Sequence, residues 1–325
     1  MTQRQITYRE AVIEAIREEM ARDESVFYIG EDVGKMGGIF GTSIGLLEEF
    51  GEERVIETPI SEAAIVGYAV GGAMTGMRPV AEITRIDWMT TCMDEIVNQA
   101  AKMRYLSGGR PEIPMVIRTS AGAGIGLGAQ HTQSFESWFV HVPGLKVVMT
   151  STPYDCKGLL KAVIREPNPV ICIEPVRLLN LSGPVPEEDY VLPLGKADIK
   201  RQGTDVTIVA WGAVVSTALK AAETLAADGI QAEVIDPRTL SPLDIDAIIA
   251  SVKRTGRLVV AHEAVKTCGV GAEISALVQE QAFDFLDAPI QRVATPFTFF
   301  PANRNLERML LPQEKQIVEA VKVTL

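Results

Sequence analysis

The stretch that decides the fold is Thr58-Pro59-Ile60-Ser61-Glu62, and a run of small and apolar residues, 63–76, follows it directly. Gly and Ala recur through that run at near-helical spacing, which predicts a helix that starts near Ser61 and packs closely against a neighbour. In one interpretation Ser61 caps this helix and Glu62 only stabilises its first turn. In the other, Glu62 exchanges a proton with a bound group, because an apolar environment disfavours the charged form of a carboxyl group.

Short apolar strands alternate with helices on both sides of this stretch. Near-continuous apolar strands of this kind are typical of a parallel sheet covered on both faces, so the pattern predicts an α/β fold. Helices are expected over 7–22 and 92–105, among others. The strands are expected at 26–30, 80–83, 114–118, 146–149 and 169–174, and in a second series at 206–210, 232–236, 258–261 and 290–294.

The two series of strands are separated by a segment rich in Pro, Gly and acidic residues, which is the composition of a linker. We therefore predict a first domain at residues 1–180, a linker at 181–204 and a second domain at 205–325. A chain of 325 residues is long enough for two domains with separate cores.

Composition excludes several classes of partner. The formal net charge of −11 argues against a nucleic acid or an anionic membrane, because such partners require a basic surface. The four cysteines are far apart and form no Cys-x-x-Cys pair, so neither a zinc site nor a disulfide framework is expected. Residues 1–5 contain no apolar signal core, and no uncharged apolar run approaches membrane-spanning length. We expect a cytoplasmic protein.

A glycine-rich segment at 122–131 follows a predicted strand and ends at His131. Its Gly124-x-Gly126-x-x-Ala129 spacing is similar to a dinucleotide-binding fingerprint. The next strand, however, ends in Thr150 instead of an acidic residue, and polar residues stand where a packing helix should begin. We favour a flexible loop that delivers His131 to a ligand. We expect His141 to be a packed core or interface histidine, and His262 to belong to the architecture of the second domain or to an interface.

Six short motifs follow one another along the chain. They are Thr58-Pro59-Ile60-Ser61-Glu62, Arg78-Pro79-Val80-Ala81-Glu82, Asn98-Gln99-Ala100-Ala101-Lys102, Gln130-His131-Thr132-Gln133-Ser134, Val142-Pro143-Gly144-Leu145-Lys146-Val147-Val148 and Leu240-Ser241-Pro242-Leu243-Asp244. Together they resemble the beta subunit of the thiamin-diphosphate-dependent first component of 2-oxo acid dehydrogenase complexes, a family with pyruvate, branched-chain and acetoin members. The resemblance covers the chain from Thr7 to Val321.

The resemblance implies a transketolase-like fold, with a pyrimidine-binding domain followed by a transketolase C-terminal domain. It also implies half an enzyme: an alpha subunit binds the diphosphate and magnesium, the beta subunit holds the aminopyrimidine, and two of each form a heterotetramer. In agreement, the sequence has no Gly-Asp-Gly followed by a metal-binding Asn. The implied activity is that of an oxidoreductase, which decarboxylates a 2-oxo acid and acylates lipoyl on an acyltransferase core, and which is active only with the alpha subunit.

Matched residue by residue, the resemblance implies that Glu62 hydrogen-bonds a ring nitrogen of the aminopyrimidine and so promotes loss of the proton from the thiazolium carbon. Trp88 corresponds to an aromatic residue, usually Phe, that packs against the pyrimidine, and Ile60 to a further cofactor contact. His131 corresponds to a histidine that steadies the substrate or donates a proton during acyl transfer to lipoyl. Some members bind potassium, and the matching positions, acting mainly through backbone carbonyls, are Met115, Val163, Ile164, Glu166 and Asn168.

Several departures from the family pattern leave the substrate open. Ile86 stands where a second aromatic residue is frequent, and Thr132 where Ser is frequent. The segment 295–301 is more apolar than the usual version, which contains Asp. The deciding pocket is expected to be built partly by the alpha subunit.

Three functions are therefore considered. The leading interpretation is a pyruvate dehydrogenase beta subunit, since the motifs at 185–187 and 195–199 are shared with pyruvate members. The alternative is an acetoin dehydrogenase beta subunit that cleaves acetoin to acetaldehyde and an acetyl group, since Cys92 and Cys268 are similar to acetoin members. The third, from another class, is a non-catalytic docking subunit for the acyltransferase core.

Overall fold

The structure, a computed structural model, describes residues 4–325. Residues 1–3 of the N-terminal segment, which we expect to contain no signal core, lie outside the described residues. The chain divides into two compact units. The first runs to Ala121 and resumes at Trp138–Leu194, and the second comprises Gly122–Ser137 and Gly195–Leu325. The predicted domain boundaries stay a prediction, and the range 181–204 contains two short strands in addition to irregular chain.

The first unit is built on a parallel sheet. Its strands β2 to β7 pair in the order β6-β7-β5-β4-β2-β3, and β1 and β8 form a separate antiparallel pair. The central strands are buried almost throughout, as expected for a sheet covered on both faces. The strands are β1 (Gln5–Thr7), β2 (Val26–Glu31), β3 (Val55–Thr58), β4 (Arg78–Arg85), β5 (Val116–Ala121), β6 (Lys146–Met149), β7 (Val170–Pro175) and β8 (Ser182–Pro184).

Helices connect these strands. Three short segments are not α-helical: 3₁₀ turns at Ile86–Cys92 and Val176–Leu178, and a π-helix at Glu95–Ala100. The α-helices are α1 (Tyr8–Arg22), α2 (Leu46–Phe50), α3 (Glu62–Met74), α4 (Met103–Leu106), α5 (Glu136–Val140), whose first two residues belong to the second unit, and α6 (Pro153–Arg165).

The first predicted helix is confirmed, and its start is encoded locally. The Thr7 side chain accepts a hydrogen bond from the Glu10 amide at 3.2 Å, while the Glu10 carboxylate accepts one from the Thr7 amide at 2.6 Å. This capping box satisfies amides that the first turn leaves without partners. Helix α1 packs against α6, where the buried Lys157 ammonium pairs with Glu14 at 3.0 Å and Glu18 at 2.7 Å.

The continuous helix predicted over 92–105 is wrong. That range holds the end of a 3₁₀ turn, a π-helix and the four-residue α4. The Ala101 amide donates to the Ile96 carbonyl, five residues back, at 3.0 Å. Gly144 approaches this wide turn so closely that a β-carbon on it would lie 2.1 Å from the Ala101 carbonyl oxygen. Tertiary packing thus overrides the 3.6-residue apolar period, and two of the six motifs prove to be neighbours.

The second unit holds a five-stranded sheet in the order β14-β13-β10-β11-β9, parallel except for the edge strand β9. Its core combines apolar residues of β10, β11 and β13 with those of α7 and α11. The elements are β9 (Asp198–Arg201), β10 (Val206–Ala210), α7 (Val214–Ala227), β11 (Ala232–Asp236), β12 (Thr239–Ser241), α8 (Ile245–Thr255), β13 (Leu258–Val265), α9 (Val270–Ala282), a 3₁₀ turn at Phe283–Phe285, β14 (Gln291–Thr295), α10 (Arg304–Leu310) and α11 (Glu314–Thr324).

The α/β prediction with largely parallel sheets is confirmed in both units. Within residues 4–325, none of the helices combines the length and the apolar character needed to cross a membrane.

Candidate active site

Two of the predicted site residues follow strands at the same edge of the first unit's sheet. Glu62 comes four residues after β3, and Trp88 comes three residues after β4, with β2 between those strands. The carboxyl ends of parallel strands point to one edge, and ligands of open α/β sheets bind there. Glu31, the last residue of β2, lies at that edge as well.

Glu62 is the first residue of α3 and is half-buried. Ser61 occupies the capping position, but its side chain accepts no hydrogen bond from the helix, so the expected side-chain cap is wrong. The Glu62 carboxylate is therefore the acidic group available to the first turn, where a negative charge is favourable. Ile60, the predicted cofactor contact, is 73% exposed.

Helix α3 buries one face and leaves the other bare. Ile65, Val66 and Ala69 are buried, whereas the exposed side carries small residues and Tyr68, which is 58% exposed. A β-carbon on Gly71 would meet no atom within 4 Å. An exposed apolar helix face of this kind is typical of an interaction surface.

Carboxylates gather around Glu62, which sequence reasoning did not detect. Burial, with the nearby charges of Asp32 and Glu62, raises the pKa of the Glu31 carboxyl. Burial, with the charges of Glu95 and Glu62, raises the pKa of the Cys92 thiol to about 12. Cys92 is thus an inert core thiol at neutral pH, and Glu31 is a second acid that holds a proton more readily than usual.

The turn that carries Trp88 is fixed by its own hydroxyl and thiol groups. Thr90 donates to the Asp87 carbonyl at 2.9 Å, Thr91 to the Trp88 carbonyl at 2.8 Å and Cys92 to the Met89 carbonyl at 3.4 Å. Each side chain reaches back three residues, a pattern that Thr favours and that was readable from the sequence. Trp88 remains half-buried.

Ile86, which departs from the family pattern, is completely buried. Its side chain therefore belongs to the core and offers no apolar wall to a ligand at the surface. Thr132, the other departure, is also buried, and its hydroxyl donates to the Gly128 carbonyl at 2.8 Å.

A buried charge network lies beneath this edge. Arg118 forms a bidentate pair with Glu174 at 2.7 and 2.8 Å and donates to Glu82 at 2.9 Å. The Tyr28 hydroxyl accepts from Arg118 and donates to Glu82. Burial raises the pKa of Tyr28 well above its usual value and also raises the pKa of Glu174; the charge of Glu82 adds to both shifts, and the charge of Arg118 opposes them.

The network lines a cavity of about 10 Å³, large enough for about one water molecule. Thr42, which follows the glycine-rich loop at 34–41, donates to Glu82 at 3.3 Å. That loop is also held by Glu57, which accepts from the amides of Gly34 and Lys35 at 3.1 and 3.2 Å. The buried Arg118 network thus links the strands of the sheet, the exposed Glu57 holds the loop, and the cavity is too small for a substrate.

His131 lies in the second unit, on the loop 122–137. It is half-buried, and its amide donates to the Gly128 carbonyl at 3.3 Å. Gly122, Gly124, Gly126 and Gly128 have φ angles of +94°, +110°, +81° and +77°. Alternate residues thus adopt a conformation that favours glycine, which explains the spacing that is similar to a dinucleotide fingerprint.

His262 is the buried histidine of the second unit. Its ring stacks on Trp211 with centroids 4.9 Å apart and an interplanar angle of 9°. Burial lowers its pKa to about 4, so the ring is neutral at physiological pH. This is the setting of a structural histidine, as expected.

The residues predicted to hold potassium surround the end of α6, and several of their carbonyls already accept hydrogen bonds. Arg78 donates to the Ile164 carbonyl at 3.0 Å and to the Glu166 carbonyl at 3.5 Å. The carbonyls of Val163 and Met115 accept from backbone amides. The Asn168 side chain accepts from Arg104 at 2.8 Å. In the described part of the chain, no group of three or more His, Cys, Asp or Glu side chains could hold a metal ion.

Comparison with known proteins gives two domain matches and close relatives. Residues 4–182 match the transketolase pyrimidine-binding domain, and residues 195–317 match the transketolase C-terminal domain. The chain is 47% identical over 327 residues to subunit beta of the acetoin:2,6-dichlorophenolindophenol oxidoreductase of Bacillus subtilis (strain 168), covering 97% of this chain and 96% of that one. It is 46% identical over 322 residues to the pyruvate dehydrogenase E1 component subunit beta of the same organism, covering 99% of each chain.

Among solved structures, a split-gene transketolase, described as an inactive beta4 tetramer, superposes with a TM-score of 0.81. The alignment covers 98% of both chains at 22% sequence identity. This likeness concerns the fold.

Proposed function

Because the chain belongs to the family of dehydrogenase beta subunits with transketolase pyrimidine-binding and C-terminal domains, we propose that it is the beta subunit of a thiamin-diphosphate-dependent 2-oxo acid dehydrogenase of the pyruvate type. The observation that carries the proposal is the half-buried Glu62 at the carboxyl edge of the sheet, at the head of a helix with a bare apolar face. We place the enzyme in the cytoplasm.

The residues at this edge fit the aminopyrimidine half of the cofactor. Glu62 offers a carboxylate to a ring nitrogen and can hold a proton there, while Trp88 offers an indole face to the ring and Ile60 an exposed apolar side chain. When bound, thiamin diphosphate supplies a carbon nucleophile for the substrate carbonyl. The proposal assigns His131 to the later step, in which it steadies the substrate or gives a proton as the acyl group passes to lipoyl.

The other half of the cofactor site is assigned to an alpha subunit. The sequence lacks the Gly-Asp-Gly motif for the diphosphate and magnesium, and α3 presents the uncovered residues Ala64, Gly67, Tyr68 and Gly71. Obligate interfaces resemble a domain core cut in half, so such a face suits a permanent partner. We propose an alpha2-beta2 heterotetramer that delivers acyl groups to a lipoyl-bearing acyltransferase core.

Isolation of the chain tests this assembly. Without an alpha subunit the chain should be inactive and should precipitate or self-associate through its bare face. Light scattering and a turnover assay on the purified chain measure both properties. A monodisperse and active isolated chain would refute the proposed assembly.

The proposal includes potassium at the carbonyls of Met115, Val163, Ile164, Glu166 and Asn168. A carbonyl oxygen has two lone pairs, so a carbonyl that accepts one hydrogen bond can still coordinate a cation with the second lone pair. Thermal unfolding of the assembled enzyme in potassium chloride and in lithium chloride tests the site, since the smaller lithium ion fits poorly in a cage of that size. Equal midpoints in the two salts would remove potassium from the proposal.

Substrate choice is tested by product analysis. The chain is co-expressed with its alpha subunit and supplied with thiamin diphosphate, magnesium and an artificial electron acceptor, and pyruvate, branched 2-oxo acids and acetoin are offered in parallel. Carbon dioxide from pyruvate is expected. Formation of acetaldehyde from acetoin, with no product from the 2-oxo acids, would make acetoin the substrate, as in the name of the B. subtilis relative. No product from any of the three would favour the non-catalytic docking subunit.

A further inference from the structure

The loop that carries His131 is fastened to the second unit by buried carboxylates. Two of these carboxylates contact the loop from outside, Glu263 on β13 and Glu307 on α10. The third, Glu136, lies near the end of the loop itself. Glu136 and Glu307 are 0% exposed, and Glu263 is 4% exposed. Buried carboxylates are costly to a fold, so a cluster of three at one loop requires an explanation.

Glu307 makes the clearest contact. Its Oε2 atom accepts a hydrogen bond from the Gly126 amide at 2.8 Å, while Oε1 has no hydrogen-bond partner among the described residues. The neighbouring Arg304 donates to the Ile125 carbonyl at 3.1 Å. Helix α10 therefore binds both polar groups of the peptide bond between Ile125 and Gly126: Arg304 donates to its carbonyl oxygen, and Glu307 accepts from its amide.

The loop backbone is shaped for this grip. A β-carbon on Gly126 would lie 2.9 Å from the Arg304 side chain and 3.0 Å from the Ala302 carbonyl, so only glycine approaches closely enough. Upstream, Glu263 accepts from the Ala123 amide at 2.6 Å. Downstream, Glu136 accepts from the Trp211 indole at 3.2 Å. His131 thus lies between fixed points on both sides.

We propose that Glu307 is a positioning residue for His131: by accepting the Gly126 amide it fixes the loop 122–137 and sets the imidazole for transfer of the acyl group to lipoyl. This inference rests on the role proposed above for His131. It gives the second unit a part in the chemistry.

The test compares three variants in the assembled enzyme. Glu307→Met removes the acceptor at similar volume, and Glu307→Gln keeps an oxygen that can accept the Gly126 amide. Glu233→Met is the matched control, because Glu233 is also 0% exposed, has one oxygen bound by Arg254 at 2.6 Å, has the other without a partner, and lies on β11 away from the loop. Lipoyl acylation and dye-linked decarboxylation are measured separately for each.

Glu307→Met is expected to slow lipoyl acylation by about 10²-fold, the scale of a small misplacement, and to affect the dye-linked rate less. Glu307→Gln should recover most of the loss, and Glu233→Met should leave both rates near those of the wild type. Combining Glu307→Met with His131→Ala should cost no more acylation than His131→Ala alone. An additive loss, or equal losses from Glu307→Met and Glu233→Met, would overturn the proposal.

Hydrogen exchange separates this inference from the proposed function. The amide of Gly126 should exchange faster in Glu307→Met than in Glu233→Met, and an unchanged rate would overturn the anchoring itself. If that amide is released but His131→Ala leaves acylation unchanged, the role proposed for His131 is wrong, the positioning inference falls with it, and only the anchoring of the loop stands.

Discussion

Glu62 and His131 are held in place by two different kinds of structure. Glu62 stands where a regular parallel sheet ends, so the order of strands and one helix start determine its position. His131 stands on an irregular loop whose shape depends on four glycines and on carboxylates from distant parts of the second unit. A site at a sheet edge therefore follows from regular elements that the sequence predicts, whereas a site on such a loop depends on individual side-chain contacts between segments that are far apart in the sequence.

The largest effect is expected at the sheet edge. Glu62→Ala should lower turnover of the assembled enzyme by about 10³-fold, within the range for loss of a group that holds a proton in the reaction. Assembly should persist, as judged by co-purification with the alpha subunit. The exposed Glu53, which precedes β3, gives a control: Glu53→Ala should be fully active. Normal turnover in Glu62→Ala would refute the catalytic role of Glu62 and favour a non-catalytic docking subunit.

The next effect separates two glycines of the loop. Gly126→Ala should slow lipoyl acylation by about tenfold or more, because its β-carbon would collide with backbone and side chain as well as adopt a strained φ angle. Gly128→Ala shares the positive φ, but its β-carbon would lie 3.6 Å from the nearest atom. It should therefore retain more activity. Equal losses would mean that backbone strain alone, without the grip of α10, determines the position of the loop.

The loop should also respond to pH through Glu136. Burial raises the pKa of this carboxyl to about 7, so in the folded protein it stays protonated between pH 4.5 and pH 7 while in the unfolded chain it ionises. The unfolded state then binds fewer protons, and stability falls as pH rises through that window. Between pH 5 and pH 7.5, the free energy of unfolding should therefore fall by about 2 kcal/mol less in Glu136→Gln than in the wild type. Thermal midpoints of both proteins at pH 5 and pH 7.5 measure it, and parallel pH dependences would refute an ionising, buried Glu136.

The smallest effect is expected at Trp88. Trp88→Phe restores the residue usual in the family and keeps an aromatic face, so KM for the cofactor should change by about threefold or less, given that an aromatic pair contributes roughly 1 kcal/mol. Trp88→Ala should raise that KM further while leaving kcat less affected. Identical KM values in all three proteins would show that the ring does not contact the pyrimidine.

Sequence reasoning reached the fold and the family because both rest on local or ordered signals. Parallel strands, the start of α1 and the identity of the six motifs are readable one segment at a time, and the resemblance to the beta-subunit family is confirmed. The carboxyl edge that joins Glu62 and Trp88 also follows from strand order.

The failures share one physical cause, which is contact between distant segments. The π-helix at Glu95–Ala100 packs beside Gly144, and this tertiary contact accompanies a turn that apolar spacing cannot predict. The carboxylates of Glu31 and Glu307 became candidates only when their neighbours were known. The carboxylates that contact the His131 loop, Glu263 and Glu307, come from segments far from it along the chain.

The glycine content of helix α3 makes the stability of this helix dependent on the surfaces that pack against it. Three of its thirteen residues are glycines, and each weakens a helix by about 1 kcal/mol relative to alanine. Its order therefore depends on what packs against it, and a partner on its bare face adds stability to the segment that begins with Glu62. In the proposed assembly, folding of the edge that carries Glu62 and recognition of the alpha subunit are thermodynamically linked, so a chain that has not yet assembled holds Glu62 on a less stable helix.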